Sequence, residues 1–174
     1  LGFYLLQPFG GHVLLVRGFV FWLTHLVAGT PAAVYFATVL LVHVLNAALL
    51  WGALRRLGVQ PVALLPTTPW AVAPVHEGSL GWYAAFGHPL STVPMVGVLL
   101  MLARRPAGVP LSPREAGGIA GLLLLASWSF GVGIGFTLVF PAALLALVGW
   151  RGVSPRARWI VLAVPIVTIA SYLA

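Results

Sequence analysis

Arginine punctuates this chain, and almost nothing else in it carries a full charge. No Asp, Glu, Lys or Arg occurs between Arg17 and Arg55, nor between Glu115 and Arg151. Apolar runs of that length cannot be hidden inside a soluble domain of 174 residues, where roughly a quarter of the positions are usually charged. Only 6% are charged here, against 61% hydrophobic, and the mean hydropathy is +1.07. The expected fold is an all-α integral membrane protein: a multispanning helical bundle with one interfacial helix and short or re-entrant helix hairpins. Residues 1–174 read as a single transmembrane domain. The chain opens on Leu1 and stops at Ala174 inside an apolar run, so it is expected to be an excerpt of a longer membrane domain.

Eight of the nine arginines fall into three clusters: Arg55 and Arg56; Arg104, Arg105 and Arg114; Arg151, Arg156 and Arg158. A net charge of +7 would ordinarily suggest nucleic acid, but basic runs interleaved with polar residues are missing, so no nucleic-acid partner is expected. The clusters read as topology signals that hold their loops on the cytoplasmic side of the inner membrane. With no cysteine, disulfide and thiolate chemistry are excluded.

The segments between the clusters then follow. Residues 12–28 place Arg17, Thr24 and His25 on one helical face, which fits a helix lying in the membrane interface. Residues 31–54, from Pro31 to the first arginine pair, are the clearest crossing. Residues 61–74 contain Pro66, Pro69 and Pro74 in an otherwise apolar stretch. Such backbone lacks donors, so it must be buried in protein or line a wet cavity. Residues 89–103 read as a return to the second cluster. As one helix, 116–150 would extend about 52 Å and carry Arg151 to the wrong side. Gly131, Gly133 and Gly135 therefore predict a turn between two short helices, 116–130 and 136–150. A last helix begins at 159.

Two acids remain. Glu115 follows Ser112 by three residues with Pro113 between them, the pattern of a capping box. Glu77 is different, because it stands beside His76 next to the Pro-interrupted stretch, and an ionisable pair in a membrane segment is a functional candidate. His76 and Glu77 could transfer a proton or hydrogen-bond a hydroxyl; a helix cap or a polar turn at the interface is the structural alternative. His88 could rejoin the same surface. Trp70, Trp82 and Tyr83 flank it, as belt residues or as stacking platforms for a sugar. Arg17 could meet a lipid phosphate. His43 and Asn46 share a helical face and predict a buried polar contact to another helix. No third ligand completes a metal spacing, so a divalent metal has no support and no cofactor is evident.

The order of these features resembles a known family. An aromatic-Pro loop at residues 4–8, carrying Gln7, precedes an amphipathic helix. A His-x-x-Asn helix follows, with His43 and Asn46, ending in Leu50, Trp51, Gly52, Ala53, Leu54 and the first arginine pair. Then come Pro74, Val75, His76 and Glu77, with Trp82. Over roughly residues 4–105 this is similar to the multispanning GT-C glycosyltransferases, in particular the branch related to protein O-mannosyltransferases with tetratricopeptide repeats. That pattern has a histidine where Ala73 stands, and its Glu lies one position further from the second histidine. The resemblance implies transfer of a sugar from a polyprenyl-phosphate donor to an acceptor at the outer face. His76 and Glu77 would be the catalytic pair, with Gln7, Arg17, Trp82, Tyr83 and His88 on the substrates. The family's base is an acid in the first external loop; none precedes Glu77 here, so the resemblance implies a base supplied from before Leu1, or an inactive or divergent relative. Two other readings stay open: a transporter or channel segment, and a non-catalytic assembly subunit.

Overall fold

The computed structural model describes residues 8–9, 12–59, 62, 64–81, 85–106 and 108–173. It is helical throughout, apart from a two-residue antiparallel pairing of β1 (Pro8–Phe9) with β2 (His12–Val13) and a single parallel bridge described below. Helix α1 (Leu15–Ala28) turns at Gly29 (φ 71°) into α2 (Ala32–Arg56), with Pro31 standing just outside as the N-cap. The Tyr35 hydroxyl donates to the Gly29 carbonyl at 2.8 Å and fixes that corner. A short α3 (Leu64–Val72), a 3-10 turn (Pro74–His76) and α4 (Glu77–Gly81) lead to α5 (Gly87–Ala103). Then come α6 (Pro113–Ser129), α7 (Gly131–Val148), a 3-10 turn (Trp150–Gly152) and α8 (Pro155–Leu173).

Side-chain contacts fix the directions. Asn46 meets Pro89, Gly52 meets Leu100, and Arg56 shares a cavity with Arg104, so α2 and α5 run parallel. Gly97 faces Leu122 and Gly118 faces Met101, so α5 and α6 are antiparallel. Helix α6 is the centre of the bundle. Its buried positions Ala116, Ile119, Leu123 and Ala126 recur every three or four residues, one apolar stripe of a 3.6-residue period. Phe140 and Leu144 of α7 and Ala157, Val161 and Val164 of α8 complete this core.

The expected hairpin in 116–150 is present, but for a different reason. The Thr137 hydroxyl donates to the Leu123 carbonyl at 3.1 Å and the Ser127 hydroxyl to the Gly133 carbonyl at 3.3 Å. In one continuous helix Leu123 and Thr137 would stand about 21 Å apart. The chain reverses at Phe130, which is extended (φ −167°, ψ 160°), and none of Gly131, Gly133 and Gly135 has positive φ. All three lie inside α7. Gly133 is needed for closeness: a Cβ there would stand 2.1 Å from the Ala126 carbonyl oxygen.

The hairpin returns its ends to one level. Leu111 and Val153 form the parallel bridge, with the Leu111 amide donating to Gly152 and the Ser154 amide to Leu111. The capping box is complete: Ser112 accepts from the Glu115 amide, and the Glu115 carboxylate accepts from the Ser112 amide at 2.9 Å. These bonds from Ser112, helped by Arg105, hold the Glu115 carboxyl below its ordinary range.

Among the described residues three helices, α2, α7 and α8, are long and apolar enough to cross a membrane. Much of their apolar surface is uncovered, including Leu41, Val44, Val139, Leu147 and Ile166; this suggests membrane association.

Gly133→Ala is expected to cost about 1–3 kcal/mol by forcing α7 off α6. Gly135→Ala, which meets open space, should stay within about 0.5 kcal/mol. Unfolding of the two variants in detergent measures both; equal stabilities would contradict the close approach.

Candidate functional site

Prolines organise the one polar cleft that the sequence pointed toward. Pro69 interrupts α3 and leaves the Leu65 carbonyl without its helical donor. At the other end, the i+4 partner of the Trp70 carbonyl would be the amide of residue 74, and Pro74 has none. The Trp70 carbonyl keeps only a long turn bond from the Ala73 amide, at 3.4 Å, so the last carbonyls of α3 remain poorly satisfied in an apolar setting, which costs free energy unless other donors reach them. Two imidazoles do. His43 Nε2 lies 2.7 Å from the Ala71 oxygen and His76 Nε2 lies 2.8 Å from the Trp70 oxygen. A carbonyl only accepts, so both rings carry a proton on Nε2.

The rings also pack together. His43 stacks on Trp70 (centroids 5.4 Å, 21°), His76 meets Trp70 edge-on at 4.8 Å, and the two imidazoles are 4.8 Å apart. His43 is 8% exposed. It lies about 20 Å along α2 from Arg56, so the cluster sits near mid-length of α2 and beside the tips of the shorter helices α5, α6 and α7.

A cleft of about 540 Å³ opens here, lined by His43, Asn46, Trp70, His76, His88 and Thr92, with Gly78, Ala85, Pro89, Met95 and Val132. The face expected to unite His43 and Asn46 is present, and each contacts a different neighbour. Asn46, 1% exposed, donates from Nδ2 to the Pro89 carbonyl at 2.7 Å. Its Oδ1 is buried with no hydrogen-bond partner. Rotating the amide would set that oxygen against the Pro89 carbonyl, acceptor against acceptor, so the orientation is fixed. A buried acceptor left open costs about 1–3 kcal/mol.

Of the residues singled out from sequence, His76 and His88 line the cleft together. His88 is exposed, with its ring 4.1 Å from Phe130 at the α6–α7 reversal. Glu77 is exposed in the first turn of α4; the residues on either side, His76 and Gly78, line the cleft and Glu77 does not. Arg17 is half-buried on α1 and lines no part of it. Gln7, Trp82 and Tyr83 lie outside the described residues. Among the described residues no three His or acidic side chains are grouped to hold a metal. Sequence reasoning did not find Thr92, Met95 or the unpaired Asn46 oxygen. Only the His-x-x-Asn spacing hinted at the last.

In comparisons with known proteins, no family model matches this chain, and neither a curated protein nor a solved structure does.

His43→Phe and His76→Phe keep an aromatic ring in the cluster and remove the donor to α3. Each is expected to cost about 1–3 kcal/mol. Because the rings touch, the double variant should depart from additivity by about 0.5 kcal/mol or more. Unfolding titrations of the single and double variants measure this. Near-neutral single variants would contradict the capping role.

Proposed function

We propose that the chain is part of a polyprenyl-phosphate-dependent glycosyltransferase of the GT-C kind, embedded in the cytoplasmic membrane with the cleft toward the outer side. The observation that carries the reading is the buried, unpartnered Asn46 Oδ1 in a cleft whose other polar walls are imidazole, indole and hydroxyl. A sugar hydroxyl is a donor that would satisfy that oxygen, and the faces of sugar rings stack on indoles such as Trp70. Among the described residues the lining holds no carboxylate, arginine or lysine, which suits a neutral sugar. The multispanning arrangement is supported by the three long apolar helices. Its orientation rests on the arginine-bearing loops meeting at one end, because short loops rich in Arg are retained inside.

In this reading the acceptor hydroxyl attacks the anomeric carbon, the bond from that carbon to the phosphate oxygen breaks, and polyprenyl phosphate departs. The acceptor's proton passes to a carboxylate. His76 and Glu77 position the acceptor and serve that proton transfer, and Arg17 and His88 face the donor lipid.

A transport role is the second reading. A discontinuous helix beside a cleft near mid-length of a crossing helix is also how secondary transporters build their sites.

One reconstitution separates them. With the full-length protein in sealed liposomes containing labelled polyprenyl-phosphate sugar, transfer requires loss of label from the lipid pool into acceptor. His76→Ala and Glu77→Gln are expected to slow that loss by about 100-fold without changing membrane insertion. Accumulation of free sugar inside the vesicles with the donor intact would select transport. Undiminished transfer by both variants would remove the pair from the mechanism.

A further inference from the structure

We propose that the groove between the C-terminal halves of α2 and α5 binds an anionic glycerophospholipid, with its phosphate among Arg55, Arg56 and Arg104 and one acyl chain along the groove. These three arginines line a single cavity of about 570 Å³, and Ala48, Leu49, Gly52 and Leu100 supply its remaining walls. No carboxylate is among them. The chain has two acids: Glu115 is committed to Ser112 and Arg105, and Glu77 belongs to α4.

Three permanently charged guanidinia in one cavity need an anion. The C-termini of α2 and α5 supply part of it, since each helix end acts as about half a negative charge. Two such ends offset about one of three positive charges, so a cationic excess remains. The Arg55 guanidinium lies over the Trp51 ring, 4.9 Å from its centroid. That contact uses the face of the group and leaves its in-plane N–H fork for the paired oxygens of a phosphate.

The third cluster is different. Arg158 donates to the Val153 carbonyl at 2.9 Å and lies over Trp150, so it is spent on the fold. The apolar half of the cavity selects lipid over a soluble anion. Ala48 and Gly52, one helical turn apart, place only small residues on the α2 wall of the cavity, and a Cβ at Gly52 would touch Leu100 Cδ1 of the α5 wall at 3.9 Å. Basic pockets between membrane helices recognise anionic headgroups in this way. The inference rests on the membrane placement proposed above and is independent of the glycosyltransferase reading.

The test is native mass spectrometry of the full chain released from nanodiscs of phosphatidylglycerol and phosphatidylcholine in equal amounts. Wild type should retain one phosphatidylglycerol. Retention should fall by about tenfold or more in Arg56→Gln/Arg104→Gln, and also in Gly52→Leu, which fills the groove with every charge in place. Arg151→Gln/Arg156→Gln should retain lipid as wild type does. All substituted arginines are exposed, and matching melting temperatures establish that the variants fold. Equal loss in the Arg151/Arg156 control, or retention by Arg56→Gln/Arg104→Gln, overturns the site. Displacement of the lipid by millimolar inorganic phosphate, with Gly52→Leu unaffected, would make the ligand a free anion and overturn the lipid assignment. Failure of the protein to float with nanodiscs would refute the membrane placement; insertion without lipid retention would refute only this inference.

Discussion

Two imidazoles closing the end of a broken helix are the interaction on which the candidate site depends. Pro69 and Pro74 make α3 a helix that cannot complete its own hydrogen bonds. In water this would matter little. In an apolar bundle an open carbonyl costs about 1–3 kcal/mol; the Ala73 amide reaches the Trp70 carbonyl only at 3.4 Å, and side-chain donors held by neighbouring elements supply the shorter bonds. His43 comes from α2 and His76 from the turn that follows α3, and both reach adjacent carbonyls. The convergence draws Trp70 and the start of α5 to mid-length of α2, and the cleft is the space left between them. Structural capping and site formation are therefore one arrangement: the imidazoles that satisfy the backbone are also the polar wall.

The same constraint shapes the other half of the molecule without producing a cleft. Between α6 and α7, Gly133 lets the two backbones approach, and the Ser127 and Thr137 hydroxyls lie 2.9 Å apart, each within hydrogen-bond reach of the Leu123 carbonyl. The Tyr172 hydroxyl donates to the Ser127 carbonyl, and Trp128 Nε1 to the Ser171 hydroxyl, which ties α8 to α6. Those groups find partners within the bundle; Asn46 Oδ1 and, in α8, Thr168 Oγ1 are buried without one, and of these two Asn46 lines the cleft. That contrast is why the cleft, and not the hairpin, carries the functional proposal.

Charge and capping were legible in the sequence because they depend on local spacing. Reading the arginine clusters as lying on one side calls for a reversal in 116–150, and the chain has one at Phe130; Ser112, Pro113 and Glu115 announce the start of α6. The position of the reversal was not legible. Three alternate glycines suggest a turn, but a glycine required for close approach looks the same in sequence as one required for positive φ. At Gly133 the need is contact with Ala126. Residues 64–72 were read only as interrupted backbone, yet they form a helix. Pro66 falls in its first turn, where no intrahelical donor is needed, so Pro69 alone costs a bond inside it. The cleft itself needs α2, α3 and α5 in register, and no local pattern encodes that. His76 and Glu77 are adjacent in sequence and read as a pair; consecutive side chains diverge, and His76 lines the cleft while Glu77 is exposed beside it.

His43 and His76 hold the α3 carbonyls, and their tautomers report it directly. Nitrogen-15 spectra of histidine-labelled protein in lipid, assigned with the two phenylalanine variants, distinguish protonated from bare ring nitrogens. The account predicts that both rings carry the proton on Nε2, with the shift of a hydrogen-bonded N–H. A bare Nε2 on either ring would contradict it, because that nitrogen would then face a carbonyl as one acceptor against another.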